Sequence, residues 1–257
     1  MITAFRESQL IAAADMLLDA RRTLTPIADL PTDLQPQSLE EASFVQDEMA
    51  RAFGPVGGWK IGAPASDATP AFSPMPLAWI AAGGSTLGGP LHRLRGLEAE
   101  IAFHIGKDLP PRAAAYSREE IIAAIESCHP AIEELESAFL TPFKLPQLTG
   151  WGDLQTHGGF VYGPAVANWQ QIDFAKESVT LAVDGSVRVE RTASNTAGTD
   201  LLRLVLYLAN DGAARTGGLK RGDWITTGSW TGNTLATAGS EADVRFSSAG
   251  RVSLRFA

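Results

Sequence analysis

Leu97-Glu98-Ala99-Glu100-Ile101-Ala102-Phe103 is the stretch on which the reading of this chain turns. Its odd positions are Leu, Ala, Ile and Phe, all apolar, and a strand sends alternate side chains to opposite faces. The odd face therefore packs on a core. Glu98 and Glu100 share the other face, with Cβ atoms about 7 Å apart. Carboxylates that close repel unless something positive lies between them. Hard divalent cations, Mg²⁺ or Mn²⁺, suit carboxylate and water ligands. A solvent-facing strand with two acids satisfies the same pattern, so the pair is a candidate and no more.

A second acidic run follows in His129-Pro130-Ala131-Ile132-Glu133-Glu134-Leu135-Glu136. As a strand it puts Ala131, Glu133 and Leu135 on one face, among apolar neighbours. A carboxylate there needs a partner, either a metal or a basic side chain. Lys60 stands in the short, glycine-flanked apolar stretch Gly58-Trp59-Lys60-Ile61-Gly62. Held against acids, it is a candidate for proton transfer or substrate binding. Extended along the surface, it is an ordinary solvated lysine.

Working outward, Leu10, Ala14, Leu17 and Leu18 predict an amphipathic helix over about 6–22. Ser38 with Glu41 is a capping-box signature opening a second helix, which Gly54 ends. Residues 63–90 carry prolines 64, 70, 74, 76 and 90 and two Gly-Gly pairs, which predicts a long loop of the kind that forms lids. Ser117 with Glu120 opens a helix through about 128. Strands are expected at 130–136, 161–167, 179–183, 187–190, 224–227, 242–246 and 252–256, with a helix marked by Leu201, Leu202, Val205 and Leu208. The organisation implied is α+β: a helical N-terminal cap over 1–62 and a β-rich domain, mostly antiparallel, over 63–257.

The 257 residues include 21 Lys and Arg against 29 Asp and Glu, a formal charge of −8. That balance disfavours nucleic acid as a partner, since phosphate binding wants a basic surface. The chain is long enough to bury roughly 70% of its unfolded surface, so it needs no disulfide scaffold. A lone cysteine, Cys128, fits a reducing compartment and behaves as a small hydrophobe. No apolar run reaches the ~18 residues of a membrane span, and the early acids Asp15 and Asp19 spoil a signal-peptide core. The expectation is a cytoplasmic protein that engages neither membrane nor nucleic acid.

Together, Gly58–Gly62, Glu98–Phe103, Gly106-Lys107-Asp108-Leu109-Pro110-Pro111, His129–Glu133 and Val161-Tyr162-Gly163-Pro164 resemble the fumarylacetoacetate hydrolase superfamily. Leu208-Ala209-Asn210, Gly218–Asp223 and Thr226-Thr227-Gly228-Ser229-Trp230-Thr231-Gly232 extend the resemblance, which covers about residues 10–256. Within the superfamily the chain is most similar to the hydratase/decarboxylase branch, the 2-keto-4-pentenoate hydratase-like proteins. The resemblance implies a mixed β-sandwich roll and a divalent metal, Mg²⁺ or Mn²⁺, held by Glu98, Glu100 and Glu133. It places Lys60 beside a metal-bound substrate and implies a homo-oligomer. Asp153 falls where the branch has an Asp-Asn pair, although here Leu154 follows, and after Gly62 the chain reads Ala63-Pro64-Ala65 where the branch has a hydroxyl and a basic residue.

The activity so implied is hydration of a small unsaturated 2-oxo acid, with the metal as Lewis acid for an enolate. Decarboxylation and carbon–carbon hydrolysis share that enolate, and a non-catalytic 2-oxo acid binder is the alternative outside enzymology. Lys60 and Asp153 are the proton-transfer candidates. The hydroxyls of Thr227 and Ser229 are candidates for the substrate carboxylate, or belong to an ordinary turn. Residues 63–90 hold neither His nor Glu, which counts against a hydrolase that activates water from its lid. His104, four residues along the strand from Glu100, lies ~13 Å from it, too far to share a metal. His157, near Asp153 in sequence, is within reach of the site. No His-Glu-x-x-His, Cys-x-x-Cys or Gly-x-Ser-x-Gly motif occurs.

Overall fold

A computed structural model describes residues 2–88 and 92–257. The chain opens on α1 (Ala4–Thr23), capped by the Thr3 hydroxyl, which accepts from the Arg6 N–H. α2 (Leu39–Ala52) begins at Ser38, whose hydroxyl accepts from the Glu41 N–H at 3.2 Å. Gly54 then turns the chain at φ +105°, a conformation that costs a residue with a Cβ. Leu10, Leu17, Val45 and Met49 bury their side chains between these helices and against Phe139 and Leu154 from later in the chain.

The strands are β1 (Val56–Gly62), β2 (Ala71–Pro76), β3 (Ile80–Ala82), β4 (Thr86–Leu87), β5 (Gly96–Ile105), β6 (Ile125–Leu135) and β7 (His157–Tyr162). β8 (Ser178–Val183), β9 (Ser186–Thr192), β10 (Trp224–Thr226), β11 (Thr234–Leu235), β12 (Glu241–Phe246) and β13 (Gly250–Phe256) follow. Between them lie α3 (Arg118–Ala124), α4 (Gln147–Gly152), α5 (Leu201–Asn210) and α6 (Ala213–Thr216). The larger sheet runs β2-β1-β10-β5-β6-β7-β3, with β11 also on β5; the smaller runs β4-β13-β12-β8-β9. Most pairings are antiparallel; β1 with β10, β3 with β7 and β4 with β13 are parallel. The fold is the α+β roll with a helical N-terminal layer that the sequence implied.

Alternation in β5 works as expected. Leu97, Ala99, Ile101 and Phe103 join the main core with Leu181, Val244 and Leu254 of the smaller sheet and Leu204 and Leu208 of α5. The opposite face carries Glu98 and Glu100, and beyond them Ala102, in a small cluster with Met75, Ala131, Phe160 and Trp224. The core is thus on one side of the larger sheet and the acids are on the other.

Three expectations are corrected. Residues 63–90 are not one long loop: β2, β3 and β4 lie within them. Pro74 and Pro76 sit in β2 because it is an edge strand, where a missing N–H need not be answered. Gly89 and Pro90 lie outside the described residues. The helix that opens at Ser117 ends at Ala124, because residues from Ile125 onward pair with β5 and sheet pairing overrides local helix preference. Finally, β1 hydrogen-bonds between β2 and β10 within the larger sheet, so the helical layer stops before it, short of residue 62. Among the described residues no helix is long and apolar enough to cross a membrane.

Candidate metal centre

β5 and β6 pair antiparallel with Glu98 directly opposite Glu133 and Glu100 opposite Ala131. One rung of the ladder thus brings two acids together, and the period of two places the third beside them. One carboxylate oxygen from each of Glu98, Glu100 and Glu133 lies within 4.8 Å of the other two. Glu100 and Glu133 are buried, and Glu98 is partly open.

Neighbouring strands surround the trio. β1 lies one strand beyond β10, and Lys60 pairs with Thr226, which in turn pairs with Ala102 of β5. Lys60 Nζ lies 2.6 Å from Glu133 Oε1 and donates to the Gln155 carbonyl at 3.0 Å. His157, the first residue of β7, places Nδ1 2.9 Å from the same Glu133 oxygen. The Thr226 hydroxyl and the Gly228 N–H, the latter at 3.0 Å, both donate to Glu100 Oε2. Ser229 stands beside Glu98.

Charge decides what this arrangement accepts. Three ionised carboxylates and one ammonium sum to −2 in a largely dry place. Burial and then the neighbouring Glu133 push Glu98 up to about 7, and the same two causes, with Glu98 added, hold Glu100 well above the carboxylate range. Burial would raise Glu133 too, but Lys60 and His157 outweigh it and keep Glu133 ionised. Lys60, opposed by burial, is held protonated by Glu133, Glu98 and Glu100. Glu133 Oε2 is buried with no hydrogen-bond partner among the described residues. An all-oxygen donor set with surplus negative charge and an orphaned carboxylate oxygen fits a hard divalent cation.

The acids form the floor of a cleft of about 250 Å³. Ile61, Ala63 and Pro64 form part of its wall, and Gln147, Trp151 and Gln155 another part. Ser229 lines it as expected. Thr227 does not: its buried hydroxyl donates to the Ile101 carbonyl at 2.6 Å and is spent within the sheet. The residue that faces the acids is Thr226, as strict alternation from Lys60's partner position requires.

Asp153 is also corrected. It does not line the cleft; its carboxylate accepts from Arg21 Nε at 2.7 Å, Ser137 Oγ at 2.6 Å and the Ala138 N–H at 2.9 Å. With no free oxygen facing the acids, it is an anchor and not a proton carrier. Leu154 turns away into the core of the helical layer. His104 pairs instead with Glu126 at 2.9 Å. Sequence reasoning missed Thr226, the Gly228 amide and Gln155, since each enters through a strand pairing or a turn that no local pattern displays.

No family model matches the chain. Over 160 residues it is 28% identical to a 4-oxalocrotonate decarboxylase from Pseudomonas putida, a match covering 62% of this chain and 59% of that protein, less than two thirds of its length. Among solved structures, the 4-oxalocrotonate decarboxylase from Pseudomonas putida G7, complexed with magnesium and adipate, superimposes with a TM-score of 0.83 at 24% identity, covering 97% of this chain and 98% of that one. The 2-hydroxyhepta-2,4-diene-1,7-dioate isomerase from Mycobacterium marinum gives 0.58 at 17% identity over 79% and 75% of the two chains. A fumarylacetoacetate hydrolase family protein from Yersinia pestis CO92 gives 0.59 at 16% identity over 79% and 93%. The chain has the fold of the fumarylacetoacetate hydrolase superfamily.

Proposed function

We propose that this protein is a divalent-metal-dependent enzyme that removes carbon dioxide from a small unsaturated 2-oxo acid, with Glu98, Glu100 and Glu133 as the ligands of Mg²⁺ or Mn²⁺. The convergence of the three carboxylates around one point, with Lys60 beside them on the cleft floor, carries the reading. Its likeness to the 4-oxalocrotonate decarboxylases supports the choice of reaction.

The lining of the cleft supports decarboxylation over the hydration that the sequence suggested. Adding water to a distant double bond calls for a group that takes and returns a proton at the far end of the substrate. Beyond Lys60 and the three glutamates, the described lining holds no titratable side chain, only amides, a hydroxyl or two, Trp151 and small apolar residues. Loss of carbon dioxide needs no such group, and apolar walls such as Ile61 and Pro64 favour a carboxylate that is shedding its charge.

A divalent cation bound by the three acids supplies Lewis-acid stabilisation of charge developing on the 2-oxo oxygen. In the vinylogous acid, the bond to the distal carboxylate breaks, carbon dioxide leaves, and the electron pair passes along the conjugated chain to that oxygen. Lys60, aimed by Glu133 and the Gln155 carbonyl, places an ammonium at this end and is the proton source there. His157 fixes the orientation of Glu133 from the other side.

The test is product analysis with 4-oxalocrotonate and Mg²⁺. Stoichiometric carbon dioxide that stops on chelation supports the reading. A 4-hydroxy-2-oxo acid formed without carbon dioxide moves the assignment to hydration, and metal binding without turnover of any 2-oxo acid moves it to a binding protein.

A further inference from the structure

Leu154, Gln155 and Thr156 have φ of +51°, +52° and +66°, three consecutive non-glycine residues in the left-handed region. Each is disfavoured for a residue with a Cβ, so such a run persists only where its surroundings over-determine it. They do so here. Arg21 donates to the Asp153 carboxylate at 2.7 Å, the Asp153 carbonyl at 3.1 Å, the Glu136 carbonyl at 3.0 Å and the His157 carbonyl at 2.9 Å, clamping the turn at both ends. The Thr156 N–H donates to the Asp153 carbonyl and the Glu136 N–H to the Thr156 carbonyl, each at 2.9 Å. Leu154 is sealed in the helical layer's core.

This clamp delivers Gln155 to the cleft in two ways. Its carbonyl accepts from Lys60 Nζ, and its side chain lines the cleft with Nε2 buried and without a hydrogen-bond partner among the described residues. A buried amide donor left unmade is costly, and a strained turn that keeps it so calls for a partner from outside the chain. Among the described residues, the charged side chains that share its cleft lining are Lys60 and the three acids, so a neutral amide is suited to grip an anion already drawn to that floor.

We infer that the Gln155 side-chain amide is a specificity-determining donor to an anionic oxygen of the ligand's chelating end, beside Lys60, with Arg21 and Asp153 as positioning residues that hold the turn. The inference rests on the reading of the three glutamates as a metal site. It extends that site by one hydrogen bond that distinguishes an anionic oxygen from an apolar group.

Calorimetric titration of Mg²⁺, and then of oxalate into the Mg²⁺-loaded protein, tests it in wild type, Gln155→Glu and Gln155→Leu. Oxalate reaches only the chelating end, and both variants keep the backbone carbonyl that Lys60 uses. The expected result is Mg²⁺ affinity within a factor of about two of wild type, with oxalate affinity lower by about tenfold or more in Gln155→Leu and by more again in the near-isosteric Gln155→Glu. Unchanged oxalate affinity in either variant overturns the assignment. Loss of Mg²⁺ binding in both overturns it as well, by showing that Gln155 acts through Lys60 and Glu133. A wild type that takes up no Mg²⁺ overturns the metal reading itself, an outcome distinct from the other two.

Discussion

Arg21 and Asp153 form an ion pair at 2.7 Å in which neither side chain is more than 4% exposed. One belongs to the first helix and the other closes α4, so the pair fastens the helical layer to the turn that borders the cleft. Around it each nitrogen of the guanidinium donates to an oxygen of Asp153, Glu136 or His157.

Breaking that pair from one side strands a buried charge. Arg21→Leu is expected to lower stability by about 3–5 kcal/mol in urea unfolding, and Asp153→Leu by a similar amount. The double replacement should cost less than the sum of the two, since it leaves no charge behind. Additive losses in the three variants would show that the pair is not coupled.

Metal uptake should depend on pH with a definite sign. The Glu98 carboxyl is pushed up to about 7 by burial and by Glu133, and the cation requires the carboxylate. Affinity for Mg²⁺ therefore falls as pH drops below about 7, and binding near pH 6 releases on the order of one proton or more. Calorimetry in buffers of different ionisation enthalpy measures that release directly. Glu100→Gln should weaken Mg²⁺ binding at every pH by at least tenfold, because it removes a ligand outright. Binding that ignores pH between 5 and 8 contradicts this account.

Cys128 is buried in the main core, and burial pushes its thiol up to about 12. The thiolate is the reactive form, so the folded protein should resist alkylation at pH 8 while the denatured chain reacts fully. Mass spectrometry after a timed pulse of iodoacetamide distinguishes the two. Rapid labelling of the native state would mean that β6 opens locally.

Gly58 lies in β1 two residues before Lys60, against β10. A Cβ there would overlap the Trp224 carbonyl oxygen and crowd the Met75 methyl. Gly58→Ala should therefore push β1 off β10, with a loss of stability of several kcal/mol and displacement of Lys60 from Glu133. A folded variant of wild-type stability, seen by thermal unfolding, would argue against this register.

Glu98 and Glu100 were legible from the sequence because two residues apart in a strand means one face, a consequence of covalent geometry alone. The same held for the apolar core of β5 and for the caps at Ser38 and Ser117, which depend on neighbours within a few residues. Glu133 could be suspected from its apolar face, but its place opposite Glu98 is a register between strands. Thr227 and Asp153 show the limit. Each sits in a suggestive motif, yet one hydroxyl is spent on Ile101 and one carboxylate on Arg21, 132 positions earlier. Sequence by itself thus determined which side chains carry charge and which way they face along their own strand. Only the tertiary structure decided which of those charges meet, because a carboxylate binds whatever the folded chain brings within 3 Å, and sequence distance does not measure that.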